Sequence, residues 1–179
     1  MAVAWEPAVR SSTRLDAVTR SGLVDIGPTD PFDGLIELAV EVTGVPRGVV
    51  ALVDGTHTRR MSWVGFPESS PTSAPVEASF CRFVVGSGRP FVVDDARVDP
   101  RTIGDPAITA FGAVSWAGYP IEDEDGVVLG TFCLMDAEAH TWSATDLLVL
   151  ATLARAASTE IALRATRARL DAFLVDSGE

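Results

Sequence analysis

The sequence predicts an α+β fold: a small antiparallel sheet of about five to six strands, with N- and C-terminal helices packed on one side. Three observations predict it. Apolar runs of strand length at 48–54, 59–64, 114–121 and 127–135 come in pairs joined by tight polar turns, and strands joined that way lie antiparallel. The strongest helical periodicity sits at the two ends of the chain. Two long loops, 67–75 and 95–111, separate the paired strands from the rest.

Each element follows from local chemistry. Ser11, Ser12 and Thr13 offer caps for a helix starting near Arg14, with Leu15, Val18 and Leu23 as a partial apolar face. Gly27-Pro28 breaks it. Asp30 then serves as N-cap with Pro31 at the first helical position, and Phe32, Leu35, Ile36, Ala39 and Val42 keep helical spacing until Gly44 and Pro46. Residues 48–54 and 59–64 form a hairpin about Gly55-Thr56, with Met61 and Trp63 as anchors. A short helix is predicted over 79–85, a strand over 90–94 and a short helix near Pro106. The acidic run Glu122-Asp-Glu-Asp-Gly126 reads as a solvated hairpin turn. Ser143 and Asp146 open a final helix on which Leu147, Leu150, Ala154, Ala157 and Ile161 recur at three and four residues. A helix over 143–174 is about 48 Å long, more than the sheet can cover.

Composition excludes several functions. The chain has 179 residues, enough for one domain with helical extensions, and 47% are apolar. Its charge is 14 − 25 = −11, which disfavours nucleic acid and anionic lipid. All 14 basic residues are Arg, and there is no Lys, Asn or Gln. Schiff-base catalysis and a Walker-type phosphate loop are therefore excluded. No apolar run is long enough for a membrane helix and no secretory signal opens the chain, so a cytoplasmic protein is expected. Cys81 and Cys133 lack metal-ligand spacing and read as reduced, buried thiols. His57 and His140 read as exposed or capping residues, and no Ser, His and acid fall into a triad.

The stretch 78–136 carries a family resemblance. Ala-Ser-Phe-Cys-Arg-Phe (78–83), Arg-Pro-Phe-Val-Val-Asp-Asp-Ala (89–96), Asp-Pro-Arg (99–101), Trp-Ala-Gly-Tyr-Pro-Ile (116–121) and Asp-Gly-Val-Val-Leu-Gly-Thr-Phe-Cys-Leu-Met-Asp (125–136) follow one another in an order that resembles a GAF domain. It is similar to the bacterial GAF modules, relatives of PAS domains, that precede signalling output domains. The resemblance implies a flexible segment over 1–13, the domain over 14–164 and a helical extension over 165–179. It also implies a pocket between the sheet and the loop-helix crossings, with Phe80, Arg82, Phe83, Asp95, Arg101, Trp116, Tyr119 and Cys133 as candidate ligand-binding residues. Arg82 can grip a carboxylate or phosphate, and Phe83, Trp116 and Tyr119 can stack on a ring. Structural alternatives stand beside these roles: core packing for the aromatics and Cys133, an ion pair for Arg82, turn chemistry for 99–101, and an Asp95–Arg101 pair that fastens the loop.

No cofactor is named by the residues. The Asn-Lys/Arg start of the cyclic-nucleotide motif is absent, and Cys81 is followed by Arg82, not by the His common at bilin attachment sites. Three functions remain. The first is a non-enzymatic sensory module that binds a small ligand or a protein partner and relays its state through terminal helices, as a homodimer or to an output domain. The second is a ligand-free dimerisation scaffold with a collapsed pocket. The third is a free methionine sulfoxide reductase using Cys81, although the partner cysteines expected between Asp94 and Val114 are missing.

Overall fold

The computed structural model describes residues 5–23 and 30–176. In chain order the elements are α1 (Glu6–Val9), α2 (Ser12–Arg20), α3 (Asp30–Thr43), β1 (Arg47–Val53), β2 (His57–Val64), β3 (Ser73–Pro75), α4 (Cys81–Ser87), β4 (Phe91–Val93), α5 (Pro106–Phe111), β5 (Ser115–Glu122), β6 (Val128–Asp136) and α6 (Ala144–Asp176). The strands form one sheet in the order β3-β2-β1-β6-β5-β4, antiparallel at every pairing. The break expected at Gly27-Pro28 lies outside the described residues. Among the described residues no helix is long and apolar enough to cross a membrane.

Alternation divides each central strand between two cores. Val50, Leu52, Phe132 and Leu134 face α3 and α6, where Phe32, Ile36, Leu150, Ala157 and Ile161 are buried. Val49, Ala51, Val53, Cys133 and Met135 face the other way, under Val9 of α1, Val84 of α4 and Ala107 of α5. Each large side chain so buried stabilises the fold by about 1.5–3 kcal/mol. The terminal helices α2, α3 and α6 share the first face, and shorter elements cover the second.

Four expectations change. Part of the segment expected to be flexible, 1–13, is folded: α1 packs on α4 and Val9 is fully buried. Gly86 permits that contact, because a Cβ there would meet Trp5 Cβ at 2.6 Å. The helix expected near Arg14 starts at Ser12, and its N-cap Ser11 makes no side-chain capping bond. The loop 67–75 ends in β3, which pairs with His57–Arg59 at the sheet edge. The acidic turn also holds the last helix, because Glu124 accepts two bonds from Arg169 of α6, one of them 2.7 Å from Nη2.

Two features fix the terminal helices. Arg14 of α2 is buried and donates to the carbonyls of Val9, Val53, Asp54, Val128 and Leu129. Burial pushes its guanidinium down to about 10, against the opposing pull of Asp54. At α6, Ser143 N–H donates to Asp146 Oδ2 (2.9 Å) and Asp146 N–H to Ser143 Oγ (3.1 Å), a reciprocal box. The helix then buries Leu150, Leu153, Ala154, Ala157 and Ile161. Beyond them Leu163 is 62% and Leu170 57% exposed. Its 33 residues span about 50 Å, so the last turns project past the sheet.

Candidate functional site

The second face of the sheet carries a layered hollow. Its inner chamber, about 30 Å³, lies among Ala51, Phe80, Cys81, Trp116 and Cys133, room for only a water or two. Phe80 lies 6.0 Å edge-on to Trp116 and 6.2 Å from Phe91, and these rings fill most of the space. Trp116 lies flat over Gly118, where a Cβ would collide with the indole. Outside it a larger hollow of about 430 Å³ is bounded by Arg47, Arg60, Phe66, Pro67, Pro71 and Phe111. Arg60, Phe66 and Phe111 stand on both.

Pairing with Ala51 aims Arg60 inward, and a break in strand pairing follows it. Val50 pairs with Ser62 and Ala51 with Arg60, so Met61 has no partner and bulges. Strict alternation would set Arg60 and Trp63 on opposite faces. The bulge puts both on the hollow side, 5.2 Å from guanidinium Cζ to indole centroid, and sends Met61 into the core under α3 and α6. Met61 and Trp63 thus anchor opposite faces, not the one face that alternation implied. Arg60 is 8% and Thr58 6% exposed. Arg60 Nε and Nη1 and Thr58 Oγ1 find no hydrogen-bond partner among the described residues. Burial pushes the Arg60 guanidinium below its ordinary value.

The floor holds two thiols. Thr131 Oγ1 lies 3.0 Å from Cys81 Sγ, and Cys133 Sγ bonds the Val49 carbonyl at 3.5 Å. The adjacent Cys133 thiol leads the influences that bring Cys81 down to about 7, with burial opposing. The Cys81 thiol and burial together raise Cys133.

The roof is tied at both ends by arginines. Asp105 caps α5, accepting from Ala107 N–H at 2.9 Å, and its other oxygen pairs with Arg82. Arg82 also donates to the Ser79 carbonyl at 2.7 Å and lies 4.4 Å over Phe83. At the far end Arg47 donates to the carbonyls of Phe111 and Gly112, each at 2.7 Å.

The structure therefore brings some candidate residues together and separates others. Phe80, Trp116 and Cys133 surround the inner chamber, with Cys81. Phe83 packs behind it on Phe91, 4.7 Å away. Arg82 is spent on Asp105 and Ser79, so the grip expected of it on a ligand is not free. Tyr119 pairs with Phe132 and packs on the opposite core. The Asp95–Arg101 pair does not form: Asp95 binds Arg97 (2.7 Å) and Arg101 binds Asp99 (2.6 Å). Arg60, Thr58 and Phe66 were not anticipated. One signal for Arg60 was present: Arg59 and Arg60 are adjacent in a strand, so one of them must face inward. Arg59 is the outer one, 3.0 Å from Asp54.

This architecture can be set beside known proteins. The profile described as GAF domain matches residues 28–161, most of the chain. The chain belongs to the GAF domain family. A cyclic di-GMP phosphodiesterase of Pseudomonas aeruginosa is 25% identical over 122 residues, 68% of this chain but 20% of that protein. The chain thus spans about a fifth of that relative's length. Among solved structures, the PixJ GAF domain of Thermosynechococcus elongatus in its blue-light-absorbing form matches with a TM-score of 0.67 at 13% identity, covering 95% of this chain and 99% of that one. The free methionine-R-sulfoxide reductase of Neisseria meningitidis, solved with its substrate, gives 0.60 at 21% identity, covering 86% and 89%. At such identities the likeness is one of fold. Membership of the family gives the chain a sensory and regulatory role in bacterial signalling.

Proposed function

We propose that this GAF domain takes a small molecule into the hollow beside Arg60 and relays its occupancy through α6 to a second copy of the chain, from which an output domain or partner protein reads it. The observation that carries the reading is the placement of β5 and β6. On one face these strands hold Trp116 and Cys133 beneath the hollow; on the other they pack on α6. Ser158 Oγ of α6 accepts from the Glu122 N–H of β5 at 2.9 Å. Trp142, just before α6, donates to the Val93 carbonyl of β4 at 3.1 Å. One layer of strands thus separates guest from helix. A guest biases the helix only by its differential affinity for two arrangements. Leu163 and Leu170 are seven residues apart, the spacing of one coiled-coil position.

The scaffold reading accounts for the narrow inner chamber but gives Arg60 no role. The reductase reading uses the thiol pair: a sulfoxide would be reduced as Cys81 and Cys133 join in a disulfide and one water leaves, with an external dithiol to reset them. It leaves the projecting helix unexplained.

The test is to end the chain after Arg164 and compare masses by light scattering. Among the described residues the core side chains of α6 all precede that point, so the shortened chain is expected to keep its fold. A dimeric full chain and a monomeric shortened one are expected. A shortened chain that remains dimeric, or a full chain that is monomeric with and without a guest, overturns relay through this helix.

A further inference from the structure

The charge of the guest follows from how the buried arginines are satisfied. A guanidinium presents five N–H donors in one plane and no acceptor. Arg14 spends its donors on backbone carbonyls, and Arg82 on Asp105 and Ser79. Arg60 is as buried as these, yet Nε and Nη1 meet no acceptor. The rings of Trp63 and Phe66, 5.2 and 4.8 Å away, give it apolar and cation–π contact but accept none of its in-plane bonds. A buried cation left so is costly until an anion meets it. Thr58, two residues earlier on the same face of β2, adds a buried hydroxyl without a partner among the described residues.

Resting on the reading that the hollow is a ligand pocket, we propose that its guest is a small organic monoanion, a carboxylate on an apolar body. The carboxylate sits on Arg60, which borders both spaces, with the Thr58 hydroxyl on the inner-chamber side, and the body lies among Phe66, Pro67, Pro71 and Phe111. Arg47 borders the hollow too but spends Nη1 and Nη2 on the carbonyls of Phe111 and Gly112, so Arg60 is the guanidinium with donors to offer, which favours a carboxylate over a phosphate monoester dianion. The planar fork of an arginine also matches a carboxylate's two oxygens. The hollow of about 430 Å³ falls within the range of small-molecule pockets, roughly 300–1,000 Å³.

The probes are phenylacetate, 3-phenylpropionate and benzoate, each against its uncharged amide, with phenyl phosphate as a further arm. Thermal unfolding and calorimetric titration are run on the full chain and on Arg60→Met. The carboxylates are expected to raise the wild-type Tm by about 3–5 °C at ten times Kd, and the amides to leave it unchanged. Arg60→Met is expected to melt no lower than wild type without a guest, since it removes a buried charge that lacks a partner, and to lose the carboxylate shift. A merely structural Arg60 would instead lower the Tm on substitution. The assignment is overturned if amides shift Tm equally, if phenyl phosphate binds more tightly than phenylacetate, if Arg60→Met keeps the shift, or if no carboxylate binds. Amide exchange of 165–176 is recorded in the same samples. Binding without a change there sinks the relay and leaves the carboxylate assignment standing. Absence of carboxylate binding sinks the assignment and leaves a relay driven by another guest open.

Discussion

Phe132 and Cys133 are neighbours in β6 and belong to different regions of the molecule. Phe132 lies in an apolar core between the sheet and two long helices. Cys133 faces a layer of rings, thiols and guanidinium groups that closes around a hollow. The two faces share strands, backbone bonds and register, and differ only in what alternation presents to each. One face is filled by the chain itself, and the other borders a hollow where, among the described residues, the buried donors of Arg60 and Thr58 are unspent. A sheet of this kind keeps the packed core and the hollow on opposite sides, so that one can vary without ruining the other.

The largest test of that division is the pair Phe132→Ala and Cys133→Ala. The first should cost about 3–5 kcal/mol in denaturant unfolding, through lost burial and a new cavity. The second should cost about 1 kcal/mol, because the thiol already borders a void. Equal costs would mean that both faces are packed alike. Next comes Arg82→Met, which strands Asp105 in a buried site and should cost about 3 kcal/mol, unlike the same change at Arg60. A neutral Arg82→Met would erase the distinction drawn between the two arginines.

The smallest effect lies at the β1–β2 corner, away from both faces. Burial pushes the Asp54 carboxyl up, but N–H donors from Thr56 and His57, with Arg59 and the Thr56 hydroxyl, bring it down to about 2. A native value below the unfolded one gives stability that is full above pH ~4 and lost as pH falls through ~2. Asp54→Asn should therefore cost about 1–2 kcal/mol at pH 7, after allowing for partial exposure, and close to nothing near pH 2. A penalty that persists in acid would assign the effect to hydrogen bonding in place of charge.

The strands, their antiparallel pairing and the capped final helix were legible because each is written in local pattern: alternation, turn residues, and Ser143 three residues before Asp146. The pocket was legible only in part. Phe80 and Trp116 stand in blocks whose order marks the family, so they could be placed. Arg60 could not, because its face is set by pairing with Ala51 across the hairpin, and two adjacent arginines do not reveal which of them that register turns inward. Arg82 misled for the converse reason: the carboxylate that occupies it, Asp105, lies in a loop whose path only tertiary packing determines. Tyr119 shares a strand with Trp116 but sits an odd number of residues away, and parity sent it to the other core.

The ties on α5 have a consequence for kinetics. With Asp105 and Arg82 fastening its start, and Arg47 its end, that short helix makes a poor door. Passage in and out is left to the rim where β3 holds β2 by three paired residues, beside the proline-stiffened run from Pro67 to Pro75. For the proposed guest, residence time in the hollow should then follow how often that edge strand peels away from β2, where the Thr72 carbonyl also holds the Arg60 N–H at 2.8 Å, and a substitution at Ser73 or Ala74 should change the off-rate.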